Sequence, residues 1–354
     1  MHIYIHIPFC AKKCPYCAFG SSDKEFDLID EYFNALSFEI KNRPLSKIST
    51  IFVGGGTPSV IKSSYYAKIF KLFEKFLDDD SEITFEANPN SANLKWLKDL
   101  KDIGVNRISF GTQSFNEKKL IFLGRNHTKF DTIKAVENAK LAGFKNINVD
   151  LIYATKFDTK KLLEDEILNL KQLELSHISA YSLILEKNTK FEDKKSYQKD
   201  SVNLAKFLFK KLEEIGFNQY EISNFAKVNP SRVCKHNLAY WQGKNYIGFG
   251  AYSVGFKDNK RFYALKDTKS YIKNPNFRDV ESLNNNDLKL ERLFLGFRSI
   301  VGVNGNLLNK TELKKAQILV DENKLFLKNE IFYNKNFLLA DEIALFINDN
   351  FTLN

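Results

Sequence analysis

One repeated unit limits what this chain can fold into. Between residues 3 and 185, short runs rich in Ile, Val and Phe alternate with stretches whose apolar side chains recur at helical spacing. The strand-type runs fall at 3–7, 49–53, 83–86, 105–110, 147–152 and 178–185, and the helical stretches at 27–41, 63–77, 94–101, 117–123, 130–142 and 160–173. In the first helical stretch Leu28, Tyr32, Phe33, Leu36 and Ile40 form one stripe. Six units over 182 residues give about thirty residues each, the size of a βαβ repeat. Such repeats build a curved parallel sheet. Six rather than eight predict an α/β fold with a partial (β/α)6 TIM-like barrel, here over residues 1–190.

Reactive groups of barrel folds gather where strands end at their carboxyl edge, and the polar oddities of this chain fall there. Gly54-Gly55-Gly56-Thr57-Pro58 follows the second strand, Glu86-Ala87-Asn88-Pro89 closes the third, and Gly111-Thr112-Gln113-Ser114 closes the fourth. Asp150 interrupts the apolar fifth strand. A carboxylate in a strand covered on both faces is costly without partners, so Asp150 is expected to meet a ligand or a positive group. The glycine run reads either as a tight turn or as backbone that approaches a ligand; with no Lys-Ser or Lys-Thr after it, it is no P-loop.

Three of the four cysteines, Cys10, Cys14 and Cys17, share one short loop directly after the first strand; the fourth is Cys234. An odd number at tight spacing does not make a disulfide framework. Two metal readings remain. His6 with three thiolates would form a closed Cys3His zinc site, although zinc sites usually split their ligands into separated pairs. Three thiolates on one loop also suit a [4Fe–4S] cube, in which three irons take a cysteine each and the fourth stays open. The cube is the favoured reading.

The C-x3-C-x2-C spacing, with Tyr16 just before the third cysteine, resembles the radical S-adenosylmethionine (SAM) superfamily. The phrase Tyr4-Ile5-His6-Ile7-Pro8-Phe9-Cys10 is similar to the opening of its oxygen-independent coproporphyrinogen III oxidase-like group, and Gly54 to Pro58 resembles the family element that contacts the amino group of SAM. The resemblance implies a [4Fe–4S] cluster on Cys10, Cys14 and Cys17 with SAM on the open iron. It also implies SAM contacts from Tyr4, Tyr16, Gly55, Gly56, Thr57, Glu86, Gln113, Arg125 and Asp150. Glu86 and Asp150 suit ribose hydroxyls or the amino group, in either order, and the planar fork of Arg125 suits a carboxylate. His127 and His177 are expected to be structural.

Residues 191–285 show a helix over 199–215 and then aromatic, histidine and glycine residues without a regular period. They are expected to cover the open side of the barrel. Residues 286–354 read as a small α+β domain, helical with a winged hairpin near 326–337. Within the middle region, His236-Asn237-x-x-Tyr240-Trp241 resembles the signature of the group's heme-chaperone branch, where it is associated with heme binding. A neutral imidazole beside Tyr and Trp is a reasonable heme seat; the bland alternative is a structural histidine. Cys234 is either an iron ligand or a small buried residue.

Two departures separate the chain from the oxidases of this group: Phe19 stands where they carry a further cysteine, and the first strand begins at once. Tyr252 stands where relatives often have histidine. The resemblance therefore implies a chaperone that binds heme, one cluster and SAM and passes heme to an acceptor protein, with a flavodoxin or ferredoxin as electron donor where SAM is cleaved. The first alternative is an oxygen-independent coproporphyrinogen III oxidase, a dehydrogenase forming protoporphyrinogen IX from a coproporphyrinogen-like tetrapyrrole. The second is a radical SAM RNA-modifying enzyme. The net charge of +10 comes from 53 basic residues, only eight of them arginine, spread along the chain. That distribution describes a solvated lysine surface rather than a nucleic-acid site. No apolar run of about eighteen residues and no export signal is found, so a cytoplasmic protein without stable membrane insertion is expected.

Overall fold

The computed structural model describes residues 1–228 and 231–348; positions 229–230 of the middle region and the last six residues of the C-terminal region lie outside the described residues. The first half follows the expected alternation: β1 (His2–Ile7), α1 (Ile29–Lys41), β2 (Thr50–Gly55), α2 (Ser63–Phe70), β3 (Glu82–Ala87), α3 (Leu94–Asp102), β4 (Arg107–Gln113), α4 (Glu117–Phe122), α5 (Lys129–Leu141), β5 (Asn146–Tyr153), α6 (Lys160–Lys171) and β6 (His177–Ser182). The six strands pair in parallel and in chain order, giving the curved sheet of a partial barrel. The helical stretch expected over 63–77 ends at Phe70 and resumes as a single 3-10 turn, Glu74–Phe76. The break turns Phe73 fully into the core.

Alternation along each strand decides what the barrel contains. Ile3, Ile5 and Ile7 of β1, Ile51 and Val53 of β2, Ile108 and Phe110 of β4, and Ile147 and Val149 of β5 belong to the main core, beneath the helices. The alternate positions are polar and point inward: Glu86, Arg107, Ser109, Asn148, Asp150 and Ser179 line one internal cavity. Side chains two apart in a strand share a face, so one sequence pattern builds an apolar shell and a polar lumen together.

The middle region departs from the expected irregular cover. After α7 (Ser201–Glu214) come β7 (Asn218–Gln219), β8 (Asn224–Ala226), α8 (Lys235–Trp241), β9 (Tyr246–Phe249), β10 (Val254–Lys257), β11 (Lys260–Tyr263), α9 (Thr268–Lys273) and β12 (Asp279–Ser282). These strands extend the sheet at both edges, to the order β12-β11-β10-β9-β1-β2-β3-β4-β5-β6-β8-β7. β9 pairs in parallel with the free edge of β1, and β8 runs antiparallel to β6. Pairing of this kind satisfies backbone groups that an edge would leave exposed.

The C-terminal region contains α10 (Asn285–Phe297), β13 (Val303–Asn304), α11 (Lys310–Asp321), β14 (Leu325–Lys328), β15 (Ile331–Asn334) and α12 (Ala340–Ile347). Its three strands form a small separate sheet, β13-β15-β14. A second apolar cluster, from Leu293 and Phe297 to Ile343 and Ile347, sits inside it. Backbone bonds from Ile222 N to Arg298 O (2.8 Å) and from Ile300 N to Tyr220 O (2.9 Å) tie it to the barrel. Among the described residues no helix is long and apolar enough to cross a membrane.

Candidate functional site

The cysteine loop leaves β1 at its carboxyl end and is pinned at its base. Cys10 N donates to Ser22 O at 3.0 Å and Ser22 N to Pro8 O at 2.8 Å. The glycine run lies directly against it, with Gly56 N donating to Ile7 O and Thr57 N to Phe9 O, both at 2.7 Å. Contact this close leaves no room for side chains. A Cβ on Gly56 would stand 2.6 Å from Phe9 O, and Gly55, at φ +109°, would meet the His6 ring at 2.5 Å.

Above the strand ends lies a cavity of about 400 Å³, within the size range of small-molecule sites. Cys10, Cys14, Cys17, Tyr16, Gly55, Gly56, Thr57, Glu86, Gln113, Arg125 and Asp150 all line it. Two donors already face the sulfurs: Thr57 Oγ1 to Cys10 Sγ and Arg125 Nη1 to Cys14 Sγ, each at 3.4 Å. All four cysteines are free thiols. Burial pushes the Cys10 and Cys17 thiols up from their ordinary range, and the hydrogen bond from Thr57 pulls the other way at Cys10. Three soft donors on one loop, with a cation and a hydroxyl aimed at them, suit an iron–sulfur cluster. The zinc alternative does not fit. His6 Nε2 lies 2.7 Å from Gly20 O, and since a carbonyl only accepts, that nitrogen carries the proton; Nδ1 is held by Tyr4 Oη at 3.0 Å.

Glu86 and Asp150 reach into the cavity from β3 and β5. Glu86 accepts from Gly55 N at 3.1 Å and Asp150 from Asn148 Nδ2 at 2.7 Å. Burial, reinforced by the charge of Asp150, pushes Glu86 up to about 8, and burial raises Asp150 as well. Gln113 has φ 64° where the register of β4 on β5 shifts between Phe110 and Gln113. A left-handed non-glycine residue at a bulge re-aims its side chain at a local conformational cost. Arg125 uses its fork on the protein itself, bonding Asn88 Oδ1 and, at 2.7 Å, Gly111 O. In this arrangement it braces the cysteine loop against β4 rather than standing free for a carboxylate.

Tyr4 and His236 lie outside the set that lines the cavity. Tyr4 stacks on its cross-strand neighbour Phe52, which does line the cavity. His236, on α8, is 1% exposed at the amino end of the barrel, where its Nδ1 meets Thr50 Oγ1 at 2.7 Å and its ring packs on Phe52 and Tyr240. Its Nε2 has no partner, and burial holds it at about 3, hence neutral. The histidine expected to seat heme is thus enclosed in this structure, with α8 plugging the barrel floor. Glu82 fixes the plug, accepting from Lys235 N, His236 N and the Cys234 thiol. Cys234, fully buried and pushed up to about 12 by burial, is far from becoming a thiolate ligand.

The sequence reading missed Arg107, Ser109, Asn148 and Ser179 as cavity residues. Their signal was present, as polar residues at every second position of otherwise apolar strands. Arg107 is 2% exposed and its Nε has no partner; its charge pulls both Glu86 and Asp150 down against the effect of burial. His127 Nε2 holds Thr112 O at 2.9 Å, and His177 bridges Asn148 Oδ1 and Tyr220 Oη at 2.6 and 2.8 Å.

Residues 4–167 match the Radical SAM superfamily. The chain is 36% identical over 319 residues to the heme chaperone HemW of Bacillus subtilis, covering 85% of this chain and 84% of that protein. It is 35% identical over 286 residues to the heme chaperone HemW of Escherichia coli, covering 76% and 74%. Among solved structures, the coproporphyrinogen III oxidase HemN of Escherichia coli, a radical SAM enzyme, superposes with a TM-score of 0.80 at 20% identity, over 99% of this chain and 90% of that one. At that identity the likeness speaks for the fold.

Proposed function

The chain belongs to the HemW heme-chaperone family of the radical SAM superfamily, and from that membership we propose that it carries one heme and delivers it to an acceptor protein. The observation that carries the reading is the extent of the likeness: it spans 85% of the chain, well beyond residue 167, where the superfamily match ends. Phe19, at the position where the oxidases of the group carry a further cysteine, favours the chaperone over coproporphyrinogen oxidation.

Cys10, Cys14 and Cys17 would hold the [4Fe–4S] cluster, and the cavity would take SAM. When bound, the cluster supplies an open iron for the amino and carboxylate groups of SAM and a route for one electron. The protein's own groups prepare the place. Glu86, pushed up to about 8 chiefly by burial, carries a proton at neutral pH before a cation enters the cavity. A ligand bringing a sulfonium charge draws that carboxyl toward its ionised form, which then accepts hydrogen bonds. Arg125 holds the cysteine loop to β4, and Asp150 presents acceptors from the facing wall. Where SAM is cleaved, the electron is assigned to a flavodoxin- or ferredoxin-type donor, and the setting to the cytoplasm.

The test is anaerobic reconstitution of iron and sulfide followed by titration with heme, read from its absorbance. One equivalent bound per chain is expected, without conversion of coproporphyrinogen to protoporphyrinogen. A wild-type protein that takes up no heme would end this reading. Ligation through His236 would require α8 to leave the barrel floor, because the unpartnered Nε2 is enclosed there.

A further inference from the structure

We propose that the C-terminal region latches the histidine helix shut: Arg292 of α10 holds the carboxyl end of α8, and release of that hold admits heme to His236. The inference rests on the chaperone reading, with His236 as the residue that takes the cargo, and adds to it the residue that governs access.

His236 is enclosed, yet its Nε2 has no partner. A buried ring nitrogen left unbonded is costly while the floor is closed, and it is the atom an iron would use once the floor opens. Opening means moving α8, so the bonds on α8 decide how readily the cargo enters. At its amino end those bonds belong to the barrel. Glu82 of β3 accepts from Lys235 N and His236 N at 3.1 and 3.0 Å, and Thr50 Oγ1 of β2 meets the His236 ring at 2.7 Å. Both residues sit on inner strands of the sheet and cannot shift without it.

At the carboxyl end the hold comes from outside the barrel. The chain leaves α8 through Gln242 and Gly243, and Arg292 spans the two, donating from Nη1 to Gln242 O and from Nη2 to Gly243 O, the latter at 2.8 Å. The fit is specific on both sides. Gly243 has a φ of +56°, and a side chain there would run into the guanidinium. On the other side, a planar fork covers two neighbouring carbonyls where an ammonium would act as a single point charge. The preceding residue of α10, Glu291, pairs with Arg261 of β11 at 2.6 Å, so the same stretch of helix grips the sheet beside the plug. α10 belongs to a region with its own core and its own sheet. That region can shift as a unit while the barrel strands stay paired, which makes Arg292 a releasable hold and Glu82 a fixed one.

Two measurements on the full chain test the latch. In the apo protein, amide hydrogen exchange over residues 235–241 should rise about tenfold in Arg292→Ala, the effect of losing a charge-assisted hydrogen bond, while β2 and β3 exchange as in wild type. In stopped-flow absorbance with heme, the same variant should take up heme about tenfold faster and bind it tighter by the same factor. Its dissociation rate should not change, because only the fraction of open molecules differs. Arg292→Lys keeps the charge without the fork and should fall between. Arg298→Ala removes an ion pair with Asp341 within the C-terminal region and should behave as wild type. The proposal is overturned where residues 235–241 of Arg292→Ala exchange as in wild type, or where they exchange faster but heme uptake is unchanged. Faster exchange that spreads through β2 and β3 also overturns it, since that marks general loosening. A wild type that binds no heme ends the chaperone reading instead, and exchange in the apo chain then decides the latch by itself.

Discussion

The two ends of the barrel carry nearly the same residue types and do opposite things with them. At the amino end Glu82, Cys234, His236 and His177 interlock: Glu82 accepts from two backbone amides and a thiol, and His177 is bonded through both nitrogens. At the carboxyl end Cys10, Cys14, Cys17, Glu86 and Asp150 surround an open cavity, with Glu86 taking one backbone donor from Gly55. A carboxylate offers about four lone-pair sites, so the upper acidic residues keep capacity in reserve and the lower one has committed most of its own. Residue type says little about function until the partners are known.

The comparison breaks most sharply at the cysteines. Cys10→Ala, Cys14→Ala and Cys17→Ala should each lower bound iron and acid-labile sulfide to near background after anaerobic reconstitution, whereas Cys234→Ala should keep wild-type content. Loss in Cys234→Ala would merge the two ends. The next largest effect is on stability. Glu82→Ala strands three donors in the floor and should cost roughly 3 kcal/mol in urea unfolding, while the folded fraction still takes up a cluster.

Arg125→Lys keeps the charge but loses the fork that spans Asn88, Gly111 and Cys14. SAM binding by equilibrium dialysis should weaken about tenfold. The smallest effect sharpens the contrast in ionisation. Glu86 titrates near 8 in the folded protein against 4.5 for an ordinary carboxyl. Between those values the native state binds the extra proton, so Glu86 lowers stability progressively as pH rises through that window. Glu86→Gln removes this term. The apo variant should melt above wild type by a few degrees at pH 9, with the gap closing toward pH 5. A constant gap across that range would show that Glu86 is not the titrating group.

The first half of the fold was legible because periodicity and burial coincide: strands β1 to β6 each carry an apolar face long enough to register, and the polar residues at their ends mark the cavity. The strands of the middle region were not. β7 has two residues, β8 three, and β9 to β12 four each, too short for alternation to show, and they exist because the barrel offers them edges to pair with. The motif at His236 was legible as a signature but not as a location, since the side on which α8 enters the barrel is set by Glu82 and Thr50, which lie more than 150 positions away in the chain. Arg107 escaped for a related reason. A lone arginine in an apolar strand reads as an edge charge until β3 and β5 are placed on either side of it.

β1 shares one edge with β2 and the other with β9, where His2 pairs with Tyr246. A ribosome adds roughly 5–20 residues per second, so the first strand to emerge waits tens of seconds for its second neighbour. Throughout that interval the cysteine loop hangs from a strand that is only half paired. The pairing that completes the strand beneath the cysteines is therefore supplied by residues made long after the loop itself.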